Sequence, residues 1–270
     1  LTSNIESNSL TVIRQNFVEP RTPGKPNPNH AEATIDAIKR GVQFVKNGQC
    51  SAICTMPISK SILKEGANFP FPGHTEYLAH LDESKNYAMM LVNKYLRVVP
   101  VTIHIPIKDI TKYLNTELIE KTIKTTHQEL NRRFSISNPN IWVSGLNPHA
   151  GENGTIGDEE QKFIIPIIKK LQSEGYNLLG PLSADTMFYG KKRPRFDAAI
   201  CMYHDQALIP IKTLDFHSSV NLTIGLSFIR TSPDHGTAFD IAGKNLANPT
   251  STIEAIKLAW NMAKKEQKDR

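Results

Sequence analysis

Three histidines are candidate metal ligands in this chain. His104, His149 and His204 each follow a short apolar segment that is typical of a buried strand. Imidazole nitrogens bind Zn²⁺ and related divalent ions, and a site with three protein ligands leaves positions open for a substrate. The three histidines are far apart along the chain, so their spacing alone is not a metal signature. Their common position after a strand is what suggests a shared site.

Cationic side chains lie within apolar surroundings in the last third of the chain. Lys212, Asn221 and Arg230 are on or beside segments predicted to be strands. A Lys or Arg emerging from such a strand must be paired with a carboxylate or must face a wet cleft that binds anions. Ion pairs with Asp205 or Asp215 are the alternative to an anion site.

The overall composition restricts the class of protein. The chain has 270 residues, a formal net charge of +6, 39% hydrophobic and 21% charged residues, which excludes collagen-like and fully disordered classes. Basic residues are scattered and no aromatic-rich basic motif occurs, so a small anionic ligand is favoured over nucleic acid. The sequence predicts no membrane helix, and its polar start lacks a signal pattern. Its three cysteines fit a reducing compartment, so we expect a cytoplasmic protein.

The elements that must position these groups alternate along the chain. Periodicity and end signals predict an α/β fold with a mostly parallel sheet, in which ligands collect at the carboxyl ends of strands. Two capping boxes are expected, Asp158 with Gln161 and Ser251 with Glu254. The predicted helices cover residues 30–46, 87–96, 116–134, 158–174 and 251–265, the last burying Ile253, Ile256, Trp260 and Ala263. The predicted strands cover residues 52–56, 97–105, 140–145, 197–203 and 220–229.

Common nucleotide-binding and hydrolase motifs are missing. The chain contains no GxGxxG fingerprint, no Walker A motif and no GxSxG nucleophile elbow. A glycine-containing segment does follow Arg230. Within residues 234–249, Gly236 and Gly243 would let the backbone approach a ligand closely.

Several long segments, taken together, resemble the 4-hydroxythreonine-4-phosphate dehydrogenase family, whose members are NAD-dependent enzymes of vitamin B6 biosynthesis. The similarity extends from about residue 29 to residue 260. The matching segments are GHTEYLA from Gly73, HIPIKD from His104, GLNPHAGENGTIGDEE from Gly145, GPLSADTMF from Gly180, MYHDQALIPIK from Met202 and VNLTIGLSFIRTSPDHGTAFDIAGKNLANP from Val220.

The resemblance implies a two-domain, three-layer α/β/α fold like that of isocitrate and isopropylmalate dehydrogenases. Residues 1–70 and 208–270 would form the cofactor-side domain, and residues 71–207 the metal, substrate and dimerisation domain. The active site would lie in the interdomain cleft at the interface of a homodimer, so the three histidines need not come from one chain. Family members usually begin with a strand and a Gly-Asp-Pro-x-Gly-Ile-Gly segment. Nothing here matches it, so we expect an N-terminal segment to be missing.

Roles for individual residues also follow from the resemblance. It implies a divalent metal (Zn, Mg or Co) on His104, His149 and His204. It implies substrate contacts from His74, Thr75, Lys212, Asn221 and Arg230, with Asp185 and Lys212 as catalytic residues. Residues 235–249 resemble the adenine-side loop of those enzymes, so NAD, or else NADP, would be bound by His235, Gly236, Asp240 and Asn248.

The implied reaction is the oxidation and decarboxylation of 4-phosphooxy-L-threonine to 3-amino-2-oxopropyl phosphate. An alternative inside the family is a dehydrogenase for a phosphorylated sugar acid, such as threonate or erythronate 4-phosphate, which lacks the amino group. Three histidines would also suit a metal-dependent hydrolase, although that leaves the cofactor-like loop unexplained. A non-catalytic protein that binds a metal or a phosphorylated ligand is the remaining alternative.

Overall fold

The computed structural model describes residues 10–189 and 196–268. The helices are α1 Ala31–Lys46, α2 Lys60–Ala67, α3 His74–Asp82, α4 Ile110–Tyr113, α5 Thr116–Phe134, α6 Ile165–Ser173, α7 Ala184–Met187, α8 His204–Leu214 and α9 Thr250–Lys268. The strands are β1 Ala52–Cys54, β2 Ala88–Val92, β3 Arg97–Thr102, β4 Ile141–Ser144, β5 Leu178–Leu182, β6 Ala198–Tyr203, β7 Val220–Ile224 and β8 Ile229–Pro233.

All eight of these strands belong to one mixed sheet in the order β1-β8-β7-β2-β3-β6-β4-β5. The half containing β3, β6, β4 and β5 is parallel, whereas β8, β7, β2 and β3 pair antiparallel with one another. The carboxyl ends of β3, β6 and β4 therefore open toward the same edge of the sheet. The predicted α/β class is confirmed, with a more mixed sheet than expected.

Helices cover both faces of the sheet, which gives three layers. Met90 and Val92 of β2 point into the core shared with α5, α6 and α9. Met89 and Leu91 point the opposite way, toward α8. Because side chains alternate across a strand, this pattern places the two cores on opposite sides of the sheet. A third cluster joins α1, α2 and α3 beside β1.

The helix predicted over residues 87–96 is wrong, because this segment forms β2 and the turn into β3. Its Ala, Met and Leu residues have high helix propensity. Both faces of β2 are buried, so the alternation that would reveal a strand is absent. The side chain of Asn93 fixes the turn, since its Oδ1 accepts hydrogen bonds from the backbone N–H groups of Tyr95 and Leu96, each at 2.9 Å.

The single strand predicted over residues 220–229 is two antiparallel strands, β7 and β8. The chain reverses at Gly225, which has φ +85°. A Cβ at this position would lie 1.9 Å from the carbonyl oxygen of Asn86, so the turn requires glycine by both conformation and space. This reversal places Thr223 opposite Arg230.

The helix predicted over residues 158–174 begins with a π-helical turn, Glu160–Ile164, before α6. Pro166 lies in the first turn of α6, where its missing N–H does no harm. The capping box of Asp158 and Gln161 is not formed. Asp158 pairs with Lys162, and the Gln161 amide donates to the Asn153 carbonyl oxygen.

The buried face of α9 also differs from the prediction. Ile253, Ile256 and Trp260 are 44%, 53% and 61% exposed, whereas Ala255, Ala259 and Met262 are buried with the predicted Ala263. Small alanines let the helix backbone approach the sheet closely. The second capping box is absent as well: the Ser251 hydroxyl donates to the Ser219 carbonyl oxygen and accepts from the Asp234 N–H, and Glu254 pairs with Lys257.

The predicted domain division at residues 70 and 208 remains a prediction. The first nine residues and the last two of its cofactor-side domain lie outside the described residues. Among the helices that the structure describes, none is both long and apolar enough to cross a membrane.

Candidate functional site

Two of the predicted metal ligands come together at the carboxyl ends of neighbouring parallel strands. His104 follows β3, and His204 is the first residue of α8, directly after β6. Their ring centroids are 5.8 Å apart. Because β3 and β6 are adjacent and parallel, both side chains are delivered to the same edge of the sheet. A small cavity of about 190 Å³ is lined by both histidines.

The surroundings of His104 favour its neutral imidazole. Burial lowers the pKa of His104, and the nearby Lys60 and His204 lower it further. The Nδ1 atom of His204 lies 2.6 Å from Oδ1 of Asp205. A carboxylate on one ring nitrogen fixes the tautomer and leaves the other nitrogen free for a ligand. The pair therefore provides two of the three ligands predicted for a metal centre.

His149 does not join this pair. It lies in the segment Pro148–Gly154, and residues 149–153 all have positive φ, a conformation that L residues with a Cβ rarely adopt. The buried carboxylate of Glu160 holds the start of this loop, because its Oε1 accepts from the N–H groups of Leu146 and Asn147, both at 2.7 Å. Across residues 10–189 and 196–268, no group of three His, Cys, Asp or Glu residues could hold a metal ion.

Asp185 lies beside His149 rather than beside the histidine pair. It is in the short helix α7, which contacts the 148–154 segment. The hydroxyl of Ser183 donates to its Oδ1 at 2.6 Å, and this bond, with the smaller effect of His149, lowers the pKa of Asp185. One chain thus carries two separate groups of predicted site residues, His104 with His204 and His149 with Asp185.

Arg230 is the most unusual cation in the described structure. It is 3% exposed, yet no carboxylate forms an ion pair with it among the described residues. Its guanidinium donates to Oγ1 of Thr55 from Nε and Nη2, at 3.0 and 2.8 Å, and from Nη1 to Oγ1 of Thr223 at 2.9 Å. Burial lowers its pKa to about 10. A desolvated cation with only neutral partners is suited to receive an anion.

His74, the first residue of α3, lies within electrostatic range of this guanidinium, and Thr75 follows it in the helix. Burial, followed by the charge of Arg230, lowers the pKa of His74 to about 3, so the ring is neutral at physiological pH. Its Nε2 is buried without a hydrogen-bond partner. Gly73 precedes the helix and no side chain caps it, so its first N–H groups face the same region. Neutral imidazole and free N–H groups extend the anion pocket around Arg230.

Asn221 and Lys212 are the two remaining residues predicted to contact the substrate. Asn221 is two residues before Thr223 on β7, hence on the same face, and its Oδ1 is buried without a partner. Lys212 is on helix α8, not beside a strand as predicted. Its Nζ lies 2.9 Å from Oδ2 of Asp234, so its partner is neither Asp205 nor Asp215.

Part of the predicted cofactor segment lines a cleft of about 930 Å³. His235 and Gly236 face residues 21–30 across this cleft, with Arg21 and Lys25 supplying positive charge. A Cβ on Gly236 would meet nothing within 4 Å, so this wall is open. Asp240 and Asn248 do not line the cleft. The Asn248 side chain accepts from the Thr250 N–H at the start of α9, at 3.0 Å.

The chain matches a known protein family. The profile of the pyridoxal phosphate biosynthetic protein PdxA family matches residues 2–259. The chain belongs to the PdxA family. A curated member from Roseobacter denitrificans, named 4-hydroxythreonine-4-phosphate dehydrogenase, is 55% identical over 262 residues, which cover 97% of this chain and 80% of that protein. A member of the same name from Paracoccus denitrificans is 52% identical over 258 residues, covering 94% and 80% of the two chains.

A solved PdxA-family structure shares the fold. The crystal structure of 4-hydroxythreonine-4-phosphate dehydrogenase from Klebsiella pneumoniae superimposes with a TM-score of 0.85 at 38% identity, covering 93% of this chain and 77% of that one. The family resemblance drawn from the sequence motifs is therefore confirmed.

Four residues of this PdxA-family site escaped the sequence analysis. Thr55 and Thr223 hold Arg230, and Lys60 and Glu76 lie within electrostatic range of His104. Glu76 also acts on Arg230, which links the anion pocket to the histidine pair. Glu76 belongs to the GHTEYLA motif and could have been selected from it. A threonine after a strand carries no such signal.

Proposed function

We propose that this chain catalyses the NAD-dependent oxidation of 4-phosphooxy-L-threonine and the decarboxylation of the product to 3-amino-2-oxopropyl phosphate, in pyridoxine 5'-phosphate biosynthesis. The observation that carries this proposal is the buried guanidinium of Arg230, which is held only by threonine hydroxyls and is linked to the histidine pair through the charge of Glu76. Such a site is suited to bind a small dianion, and the histidine pair can act on a hydroxyl of that ligand. Membership of the PdxA family selects this reaction among those that would fit.

In this proposal, the chain's own residues bind and orient the substrate. Arg230 binds an anionic group through charge-assisted hydrogen bonds, with His74 and Thr75 completing the phosphate site. The free Oδ1 of Asn221 accepts a hydrogen bond from a substrate donor. Lys212 forms an ion pair with Asp234 and reaches the substrate from α8. The positively charged pocket binds both the phosphate and the carboxylate of the substrate, and these two contacts orient its carbinol carbon.

A divalent ion, Zn, Mg or Co, would be held by His104 and His204. It would supply Lewis-acid polarisation of the substrate's hydroxyl and of the keto oxygen formed from it. The described chain offers only two of the three predicted ligands in one place. We therefore propose that His149 and Asp185 serve the site of a second copy, as expected for a homodimer whose active site lies between subunits.

The cleft between residues 21–30 and His235 is the proposed cofactor site. Arg21 and Lys25 suit the pyrophosphate of NAD or NADP, and Gly236 leaves room beside it. The cofactor would supply the hydride acceptor. The substrate loses a hydride from the carbinol carbon and a proton from its hydroxyl. The keto acid then loses CO₂, and its carbanion equivalent takes up a proton.

The test is NADH formation from 4-phosphooxy-L-threonine and NAD⁺, with added Zn²⁺ or Mg²⁺ and again after chelation. We expect turnover that chelation abolishes. Turnover that persists without any metal would contradict the role of the histidine pair. Threonate 4-phosphate is the parallel substrate, and its exclusive oxidation would establish the sugar-acid alternative. Phosphate release without NAD would establish a hydrolase.

A further inference from the structure

The carboxylate of Glu76 is placed where a substrate cation would be recognised. Glu76 is in the first turn of α3, two residues after His74, and is half-buried. Its Oε2 lies 2.8 Å from the point that a Cβ on Gly73 would occupy, and Nζ of Lys60 lies 3.5 Å from the same point. The absence of a side chain at Gly73 thus leaves space for Glu76 to fold back toward the anion pocket.

This carboxylate is uncommitted within the part of the chain that the structure describes. Glu76 accepts no hydrogen bond and forms no ion pair there, although it lies within electrostatic range of Arg230 and His104. Three other acidic side chains near predicted site residues are engaged. Asp234 pairs with Lys212, Asp205 with His204, and Asp185 with the Ser183 hydroxyl.

We propose that Glu76 binds the ammonium group of the substrate and so selects an amino acid phosphate over the matching hydroxy acid phosphate. This inference rests on the proposed function and deepens it. The phosphate and the carboxylate of 4-phosphooxy-L-threonine are anions that suit the cations of the pocket, and its ammonium group is the one cation it carries. An uncommitted carboxylate among those cations offers the complementary charge.

The same geometry explains why the hydroxy analogue would bind less well. Threonate 4-phosphate would place a neutral hydroxyl where the ammonium group lies. A hydroxyl can still donate to Glu76, but it carries no charge, so the Coulomb attraction between ammonium group and carboxylate is lost. The competing explanation is that Glu76 only balances the charge of Lys60. In that case its removal would affect both compounds equally.

The decisive variant is Glu76→Gln, which preserves shape and removes the charge. Calorimetric titration with 4-phosphooxy-L-threonine and with threonate 4-phosphate gives two binding constants for each protein. We expect the ratio that favours the amino compound to fall by about tenfold or more in the variant, because the ammonium group then faces a neutral amide instead of a carboxylate. The matched control is Glu65→Gln on the exposed side of α2, which should leave the ratio unchanged.

Each outcome decides the inference. A fall in the ratio supports it, and partial recovery in Glu76→Asp would strengthen it. Equal losses for both compounds, an unchanged ratio, or a wild-type preference for threonate 4-phosphate would overturn it. The last result would leave the dehydrogenase reaction itself standing. A wild-type protein that neither binds nor turns over either compound would overturn both the inference and the proposed function.

Discussion

Replacing Arg230 by methionine should stabilise the protein while abolishing its activity. Burial lowers the pKa of Arg230 to about 10. At about 1.36 kcal/mol per pKa unit, keeping this guanidinium charged in the folded protein costs roughly 3 kcal/mol. The folded-state pKa is depressed, so this cost is present at neutral pH and disappears only as pH rises through 10. Methionine removes the charge and fills much of the space.

The gain is reduced by the three hydrogen bonds to Thr55 and Thr223 that are lost. The two hydroxyls can rotate to other partners, so we assign about 1–2 kcal/mol to this loss. The net expectation is a rise of about 1–2 kcal/mol in the free energy of unfolding. Loss of the anion contact should lower kcat/KM at least about a hundredfold, since a charged, desolvated contact is removed.

Urea unfolding and NADH-coupled kinetics measure the two effects. Arg133→Met is the matched control, because Arg133 is equally buried but is paired with Glu129 at 2.7 Å and with Glu266 at 3.2 Å. Removing it leaves the buried carboxylate of Glu129 without its ion-pair partner and should destabilise the protein by about 3–5 kcal/mol. The reasoning fails if Arg230→Met is destabilised as strongly as Arg133→Met, or if it retains wild-type kcat/KM.

Three further predictions concern histidine charge, subunit sharing and the cofactor cleft. The pKa of His74 is lowered to about 3 in the folded protein, so its ring stays neutral as pH falls from 7 to 5, whereas the same ring in the unfolded chain becomes protonated. The free energy of unfolding should therefore fall by about 2 kcal/mol over this range. His74→Asn should flatten this part of the pH–stability curve, measured by urea unfolding. His149→Ala and His204→Ala should each be inactive alone, and subunit exchange between them should restore roughly a quarter of wild-type turnover if each site uses one residue from each copy. No recovery in verified mixed dimers would place all three histidines in one subunit's site. Lys25→Glu should raise the KM for NAD by about fivefold and leave the KM for the phosphorylated substrate unchanged, with Lys39→Glu as the surface control; a rise in the substrate KM instead would relocate the cofactor.

The sequence by itself determined the class of fold and the family. Alternating helix and strand signals predict α/β architecture, and α5, Thr116–Phe134, has the predicted boundaries. The long motifs identify the family, and its profile confirms it. These signals are local, since periodicity, end signals and motif order are all contained in short stretches of chain.

Only the tertiary structure decided how those residues are grouped. His104 and His204 meet because β3 and β6 are neighbours, whereas the left-handed loop beyond β4 keeps His149 away. Arg230 faces threonines because the chain reverses at Gly225, and Lys212 finds Asp234 rather than a carboxylate nearer in sequence. Because both faces of β2 are buried, its sequence lacks the alternation that predicts a strand. In α9, the small alanines pack against the sheet, and the larger apolar residues remain exposed. Each of these outcomes depends on strand order and close packing between segments far apart in the sequence, which local patterns do not encode.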